Sequence, residues 1–173
     1  NHPAFGGAHL PDITVITPVY SERELLGYVA SRAHHAEIGG TRPGSMPPDA
    51  RSLAEEGAVI PPSYLLKNGR ANWPEIRRFF TDGPFPTRAL AENFADLHAA
   101  VAANRHGVNA LALLAKQYSA QMVLHYMEAL KKISEQRIRA AFSKLPSAAY
   151  RATETLDDGA KLSATITVQK DRA

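Results

Sequence analysis

Two polar clusters stand at opposite ends of a predicted β-hairpin, and this pairing limits what the chain can fold into. The first is Gly6-Gly7-Ala8-His9-Leu10-Pro11-Asp12. The second is Ser31-Arg32-Ala33-His34-His35-Ala36-Glu37-Ile38-Gly39-Gly40, followed by Pro43-Gly44-Ser45-Met46-Pro47-Pro48. Between them lie two β-like runs, residues 13–20 and 25–31, separated by the polar turn Ser21-Glu22-Arg23-Glu24. An antiparallel hairpin sets the start of its first strand beside the end of its second. A turn centred on Glu22 and Arg23 puts Asp12 opposite Ala33, with His34 next to it. Imidazoles and carboxylates therefore meet across a long stretch of sequence, as a metal or acid–base site requires.

The rest of the chain supplies a scaffold of α+β type. Eight of the 12 prolines fall in residues 1–72, a loop and strand region. Pro18, inside the first run, calls for an edge position or a bulge nearby. Residues 38–52 form a long loop of the kind that often carries function. Residues 63–67 read as a short strand ended by the turn Asn68-Gly69. From residue 73 the period becomes helical. A short helix over 73–80 carries Pro74 in its first turn. A helix over 90–103 is capped by Gly107, a second follows over 109–118, and a long one runs over 120–144 with Met122, Tyr126, Leu130 and Ile133 on one stripe. A closing β-hairpin turns at Asp157-Asp158-Gly159. The expected segments are 1–72 (β and loop, with the His/Asp motifs), 73–146 (a helical hairpin or bundle) and 147–173 (the β-hairpin), all parts of one domain. The opening at Asn1-His2-Pro3, without Met, is read as an excerpt from a longer protein.

Composition removes several classes of chemistry. The chain has 173 residues, of which 45% are hydrophobic, enough for a packed core. There is no cysteine, so thiolate metal sites, disulfides and a cysteine nucleophile are excluded. The net charge of +3 is spread, and the basic residues of the last helix alternate with Glu128 and Glu135. That pattern is a solvated face rather than a nucleic-acid stripe. No apolar run reaches the roughly 20 residues of a membrane span, and no leader peptide is evident. No nucleic-acid or membrane partner is expected, and the expected compartment is the cytoplasm.

His9, Asp12 and His34 form a common ligand set for a divalent ion such as Mn or Zn. Glu37 is open to three readings: a fourth ligand, a partner of a ligand His, or a general base. His34 and His35 are neighbours on extended backbone and point to opposite faces, so only one joins the ion; register favours His34. Arg32 and Arg42 can hold a carboxylate or phosphate. Gly39, Gly40 and Gly44 permit a close backbone approach, with a plain turn role preferred. Glu55-Glu56-Gly57 reads as a helix end. No phosphate-binding loop is present, so no ATP site is expected here.

These strings resemble the hydantoinase B/5-oxoprolinase family, which includes the large subunits of ketone carboxylases. The resemblance is carried by Asn1-His2-Pro3, Gly6-Gly7, His9-Leu10-Pro11-Asp12, the Ser31 to Gly40 string and Pro43-Gly44-Ser45-Met46-Pro47-Pro48. Glu55-Glu56-Gly57, Asn93, Asp96, Leu97, Asn104, Tyr126-Met127 and Leu156-Asp157-Asp158-Gly159 extend it along the chain. It implies an internal piece of a longer chain and an ATP-dependent opening of a cyclic amide, such as 5-oxoproline or N-methylhydantoin. ATP is then used by a hydantoinase A-like partner subunit or domain, and an oligomer is expected. The metal ligands so implied are His9, Asp12 and His34. His35 and Glu37 are the acid–base candidates, and Arg32, Arg42 and Ser45 the substrate-binding candidates. The alternatives are a ketone carboxylase subunit and a non-catalytic scaffold.

Overall fold

Alternating apolar residues and a tight polar turn build the first hairpin, β1 (Asp12–Ser21) and β2 (Glu24–His34), which are antiparallel. The computed structural model describes residues 1–169 of the chain. Ser21 pairs with Glu24 and Tyr20 with Leu25, as a turn on Glu22 and Arg23 demands. Between Val19 and Tyr20 the register then shifts by one, with Leu26 as the extra residue of β2. This β-bulge buries Leu26 beside the fully buried Val19. It also moves every later pair by one residue. Asp12 therefore sits opposite His34 rather than Ala33, which corrects the expected register.

Alternation sorts the two faces of the hairpin. Ile13 and Val15 face the core, which is made with Leu10, Ile38, Ala58, Ile76, Phe80 and Leu97. Asp12, Thr14, Arg32 and His34 lie on the opposite face. The loop after β2 contains a single helical turn, α1 (Leu53–Glu56), capped by Gly57. A minimal hairpin follows, β3 (Leu66–Lys67) and β4 (Arg70–Ala71), turning on Asn68 and Gly69, both at positive φ. Helix α2 (Trp73–Thr81) supplies Ile76 and Phe80 to the core.

Helix α3 (Leu90–Tyr118) is one continuous helix of 29 residues, not the two helices expected with a cap at Gly107. An interior glycine costs roughly 1 kcal/mol relative to Ala. Here it lets the helix come close to the hairpin: a Cβ at Gly107 would lie 2.7 Å from Val29 Cγ1. One turn earlier, the buried Asn104 donates from Nδ2 to Val15 O and to Thr17 Oγ1, each at 3.0 Å. The side chain thus ties β1 to α3.

The chain separates into two compact units, the first being Asn1–Gln117. The second, described over residues 118–169, holds α4 (Ala120–Phe142) and the antiparallel hairpin β5 (Ala149–Thr155) and β6 (Lys161–Thr167). Ser119 caps α4 by accepting from Met122 N. The expected stripe of Met122, Tyr126, Leu130 and Ile133 forms on α4, but it is exposed rather than core. No residue of α4, β5 or β6 is buried. Residues 170–173 of the expected closing segment lie outside the described residues. Together these elements make an α+β chain of small hairpins and long helices.

Candidate metal centre

The first motif is a turn that folds back on itself. Asp12 N donates to His9 O at 3.1 Å, and Pro11 O accepts from Ile13 N and, across the hairpin, from His35 N at 2.9 Å. The turn brings the His9 ring over Asp12, and the bulged register brings His34 from the other strand. His9 Nε2 lies 3.1 Å from His34 Nδ1. Asp12 Oδ1 lies 3.2 Å from each of those nitrogens. Leu10, between the two ligand-type residues, is buried in the core and fixes the turn from below.

These three atoms form a nearly equilateral triangle on a half-open surface, with side-chain exposures of 41% for His9, 49% for His34 and 20% for Asp12. Bonds of about 2.0–2.2 Å to a common ion place neighbouring N and O donors roughly 2.8–3.6 Å apart, for octahedral or tetrahedral geometry. The observed spacings fall within that interval. Two imidazoles and one carboxylate suit Zn, Mn or a similar divalent ion and leave open positions. Among the described residues this is the group of three such side chains able to hold a metal.

His35 lies on the other side of the strand and is buried. Its Nδ1 is 2.8 Å from Asn93 Oδ1 and 3.6 Å from Asp96 Oδ2, both on α3. Asn93, also buried, donates from Nδ2 to Thr87 Oγ1 at 2.8 Å. Thr87 donates in turn to Glu37 Oε2 at 2.7 Å. Glu37 also accepts from Gly39 N at 2.6 Å and Arg88 N at 2.9 Å, and it pairs with the Arg88 guanidinium at 2.7 Å. Partial burial pushes the Glu37 pKa up, but the bonds from Thr87, Arg88 N and Gly39 N and the Arg88 charge outweigh it and hold the carboxyl below its usual value. Glu37 is therefore an ionised group whose oxygens are occupied, and it stands outside the His9–Asp12–His34 group.

The remaining candidates separate in the same way. Ser45 is buried; its hydroxyl donates to Gly39 O at 2.5 Å and accepts from Ile38 N at 2.9 Å, closing the loop on itself. Arg42 forms a two-pronged pair with Asp49 at 3.1 and 3.2 Å. Arg32 alone of these lies on the face of the three donors, across from Thr14, to whose Oγ1 it donates from Nε at 2.7 Å. The close approach read at Gly39 and Gly40 is to protein backbone: a Cβ on Gly39 would meet Phe85 O at 2.3 Å, and one on Gly40 would meet Glu55 O at 2.7 Å.

Thr87 and Arg88 escape the sequence reading. Arg88 binds the carbonyls of Gly40 and Arg42 at 3.0 and 3.1 Å, besides Glu37. Thr87 Oγ1 accepts from Ala89 N, a helix-start signal that could have drawn notice to it. Nothing local marks Arg88, because its partners stand more than forty residues away.

The α+β scaffold thus carries, where its first hairpin closes, a surface triangle of two imidazoles and a carboxylate that could hold a metal ion. The chain belongs to the hydantoinase B/oxoprolinase family, whose model matches residues 1–173. It is 37% identical to the 5-oxoprolinase of Dictyostelium discoideum and 38% identical to that of Saccharomyces cerevisiae, over 99% of its own length and 14% of theirs. It is 30% identical to the caprolactamase subunit beta of Pseudomonas jessenii over 91% of this chain and 26% of that one. The crystal structure of the ATP-dependent caprolactamase from that organism superposes with a TM-score of 0.88 at 29% identity, covering 99% of this chain and 30% of the other. The chain thus corresponds to one part of considerably longer relatives, and the family resemblance carried by its motifs is upheld. No helix among the described residues is long and apolar enough to cross a membrane.

Proposed function

We infer that this chain supplies the metal-holding part of an ATP-dependent hydrolase of cyclic amides, with His9, Asp12 and His34 as the ligands of a divalent ion. The observation that carries this reading is the triangle of donor atoms, with sides of 3.1, 3.2 and 3.2 Å, at the end of the bulged hairpin. The 5-oxoprolinase and caprolactamase relatives support the reaction class. When bound, such an ion polarises a carbonyl or activates a water.

The protein's own residues have divided tasks in this reading. His9, Asp12 and His34 present their donors on one face. His35 and Glu37 act as positioning groups instead of acid and base: His35 anchors the end of β2 to α3, and Glu37 holds the following loop to Thr87 and Arg88. ATP is handled by a hydantoinase A-like partner, since the motifs of this chain include no phosphate cradle. The ketone carboxylase alternative has no observation in its favour here.

The test is turnover of 5-oxoproline with ATP by the full-length protein and its partner. Asp12→Ala lowers kcat/KM by roughly a hundredfold or more, as expected for loss of a metal ligand. Undiminished turnover in Asp12→Ala and His9→Ala would sink the assignment.

A further inference from the structure

We propose that Arg32, held in place by Thr14, is the residue that selects cyclic amides bearing a carboxylate over neutral ones. This rests on the reaction class inferred above and adds a substrate preference to it.

Asp12 pairs with His34, and two residues along the same face Thr14 pairs with Arg32. Two residues of strand span about 7 Å, so the guanidinium belongs to the neighbourhood of the three donors but is not one of them. Small cyclic acids have their carboxylate and their ring amide at that kind of separation or less.

Arg32 is itself already partly engaged. Its Nε is spent on Thr14 Oγ1 at 2.7 Å, which fixes the plane of the group. Its Nη groups have no protein acceptor and no acidic partner among the described residues. Arg42 and Arg88, the other arginines near the second motif, are by contrast both committed to carboxylates. A held guanidinium with its outer fork free matches a carboxylate in two parallel N–H···O bonds. An ammonium at the same place would offer a point charge without the fork.

A neutral lactam has nothing to give this fork, and it leaves the charge solvated as before. A lactam acid gains a charge-assisted, two-pronged pair with the guanidinium. Selection between the two therefore follows from Arg32, while the ring-opening chemistry belongs to the other residues of the face.

The experiment compares 5-oxoproline with butyrolactam, the same five-membered ring without the carboxylate, in the full-length metal-loaded protein with its partner. Wild type prefers the acid. Arg32→Gln lowers the ratio of the two kcat/KM values roughly tenfold, mainly through the KM of the acid, and Arg32→Lys recovers part of it. Metal content of both variants is measured alongside and stays at the wild-type level. Equal losses on both lactams, no loss on either, or a wild-type preference for the neutral ring each overturn the role of Arg32. A wild type that opens neither lactam overturns the reaction class beneath it, and the role falls with it.

Discussion

The two faces of the hairpin end carry adjacent histidines in opposite circumstances. On the outer face His34 meets His9 and Asp12, and each donor atom of the three has only the other two for company. On the inner face His35 begins a chain of bonds through Asn93, Thr87, Glu37 and Arg88 in which every group has a dedicated partner. The outer set is arranged for something to be added, and the inner set is already complete. The outer three are exposed or half-exposed, so their mutual contacts contribute little to stability. The inner network, buried at His35 and Asn93 and reaching the surface at Arg88, is in contrast costly to interrupt at its buried end.

The sharpest way to break this contrast is to exchange the two histidines for alanine one at a time. His34→Ala is expected to weaken divalent-ion binding by roughly a hundredfold while leaving unfolding stability within about 0.5 kcal/mol, as for an exposed residue. His35→Ala reverses the pattern. It strands Asn93 Oδ1 and leaves a cavity, costing about 3 kcal/mol in denaturant unfolding, with a much smaller effect on metal affinity. Equal effects of the two substitutions on both measurements would erase the distinction.

A slightly smaller effect is expected at the loop the inner network holds. Gly39 has φ of +94°, and an added Cβ would stand 2.3 Å from Phe85 O, a backbone atom that cannot swing away. Gly39→Ala should cost about 2–3 kcal/mol, read by thermal or denaturant unfolding. A neutral result would mean that the loop and residues 85–87 are not locked together as described.

The smallest effect is pH-dependent. The Glu37 carboxyl is held below its usual 4.5 in the folded chain. Its contribution to stability is thus fully present above pH 4.5 and is lost as pH falls from there through the lowered folded value. Glu37→Gln should remove about 1–2 kcal/mol at pH 7, and the gap between variant and wild type should close on acidification below pH 4.5. A gap that stays constant across that range would mean the charge of Glu37 is not what binds the loop.

Much of the outer face was legible in the sequence. The turn at Glu22-Arg23 and the spacing of the motifs bring His9, Asp12 and His34 into one neighbourhood, and the face rule separates His34 from His35, but the turn alone pairs Asp12 with Ala33, and the bulge is what sets His34 opposite it. The bulge at Leu26 was not legible, because it arises from burying Leu26 with Val19, a tertiary demand. The continuity of α3 through Gly107 has the same origin: local propensity argues for a break, and contact with Val29 overrides it. The inner network was hidden for another reason. Ser45, Arg42 and Glu37 carry side chains suited to a substrate, and only their distant or looped partners show them spent on Gly39, Asp49, Thr87 and Arg88. The exposed stripe of α4 shows the same limit: periodicity predicts an apolar face but not what covers it.

The most direct test is the metal stoichiometry of the full-length protein, titrated with Mn and Zn and read by calorimetry and elemental analysis. One divalent ion is expected at this centre in wild type and in His35→Ala, and its loss in Asp12→Ala and His34→Ala. Equal stoichiometry in wild type and Asp12→Ala, or no ion in wild type, would contradict it.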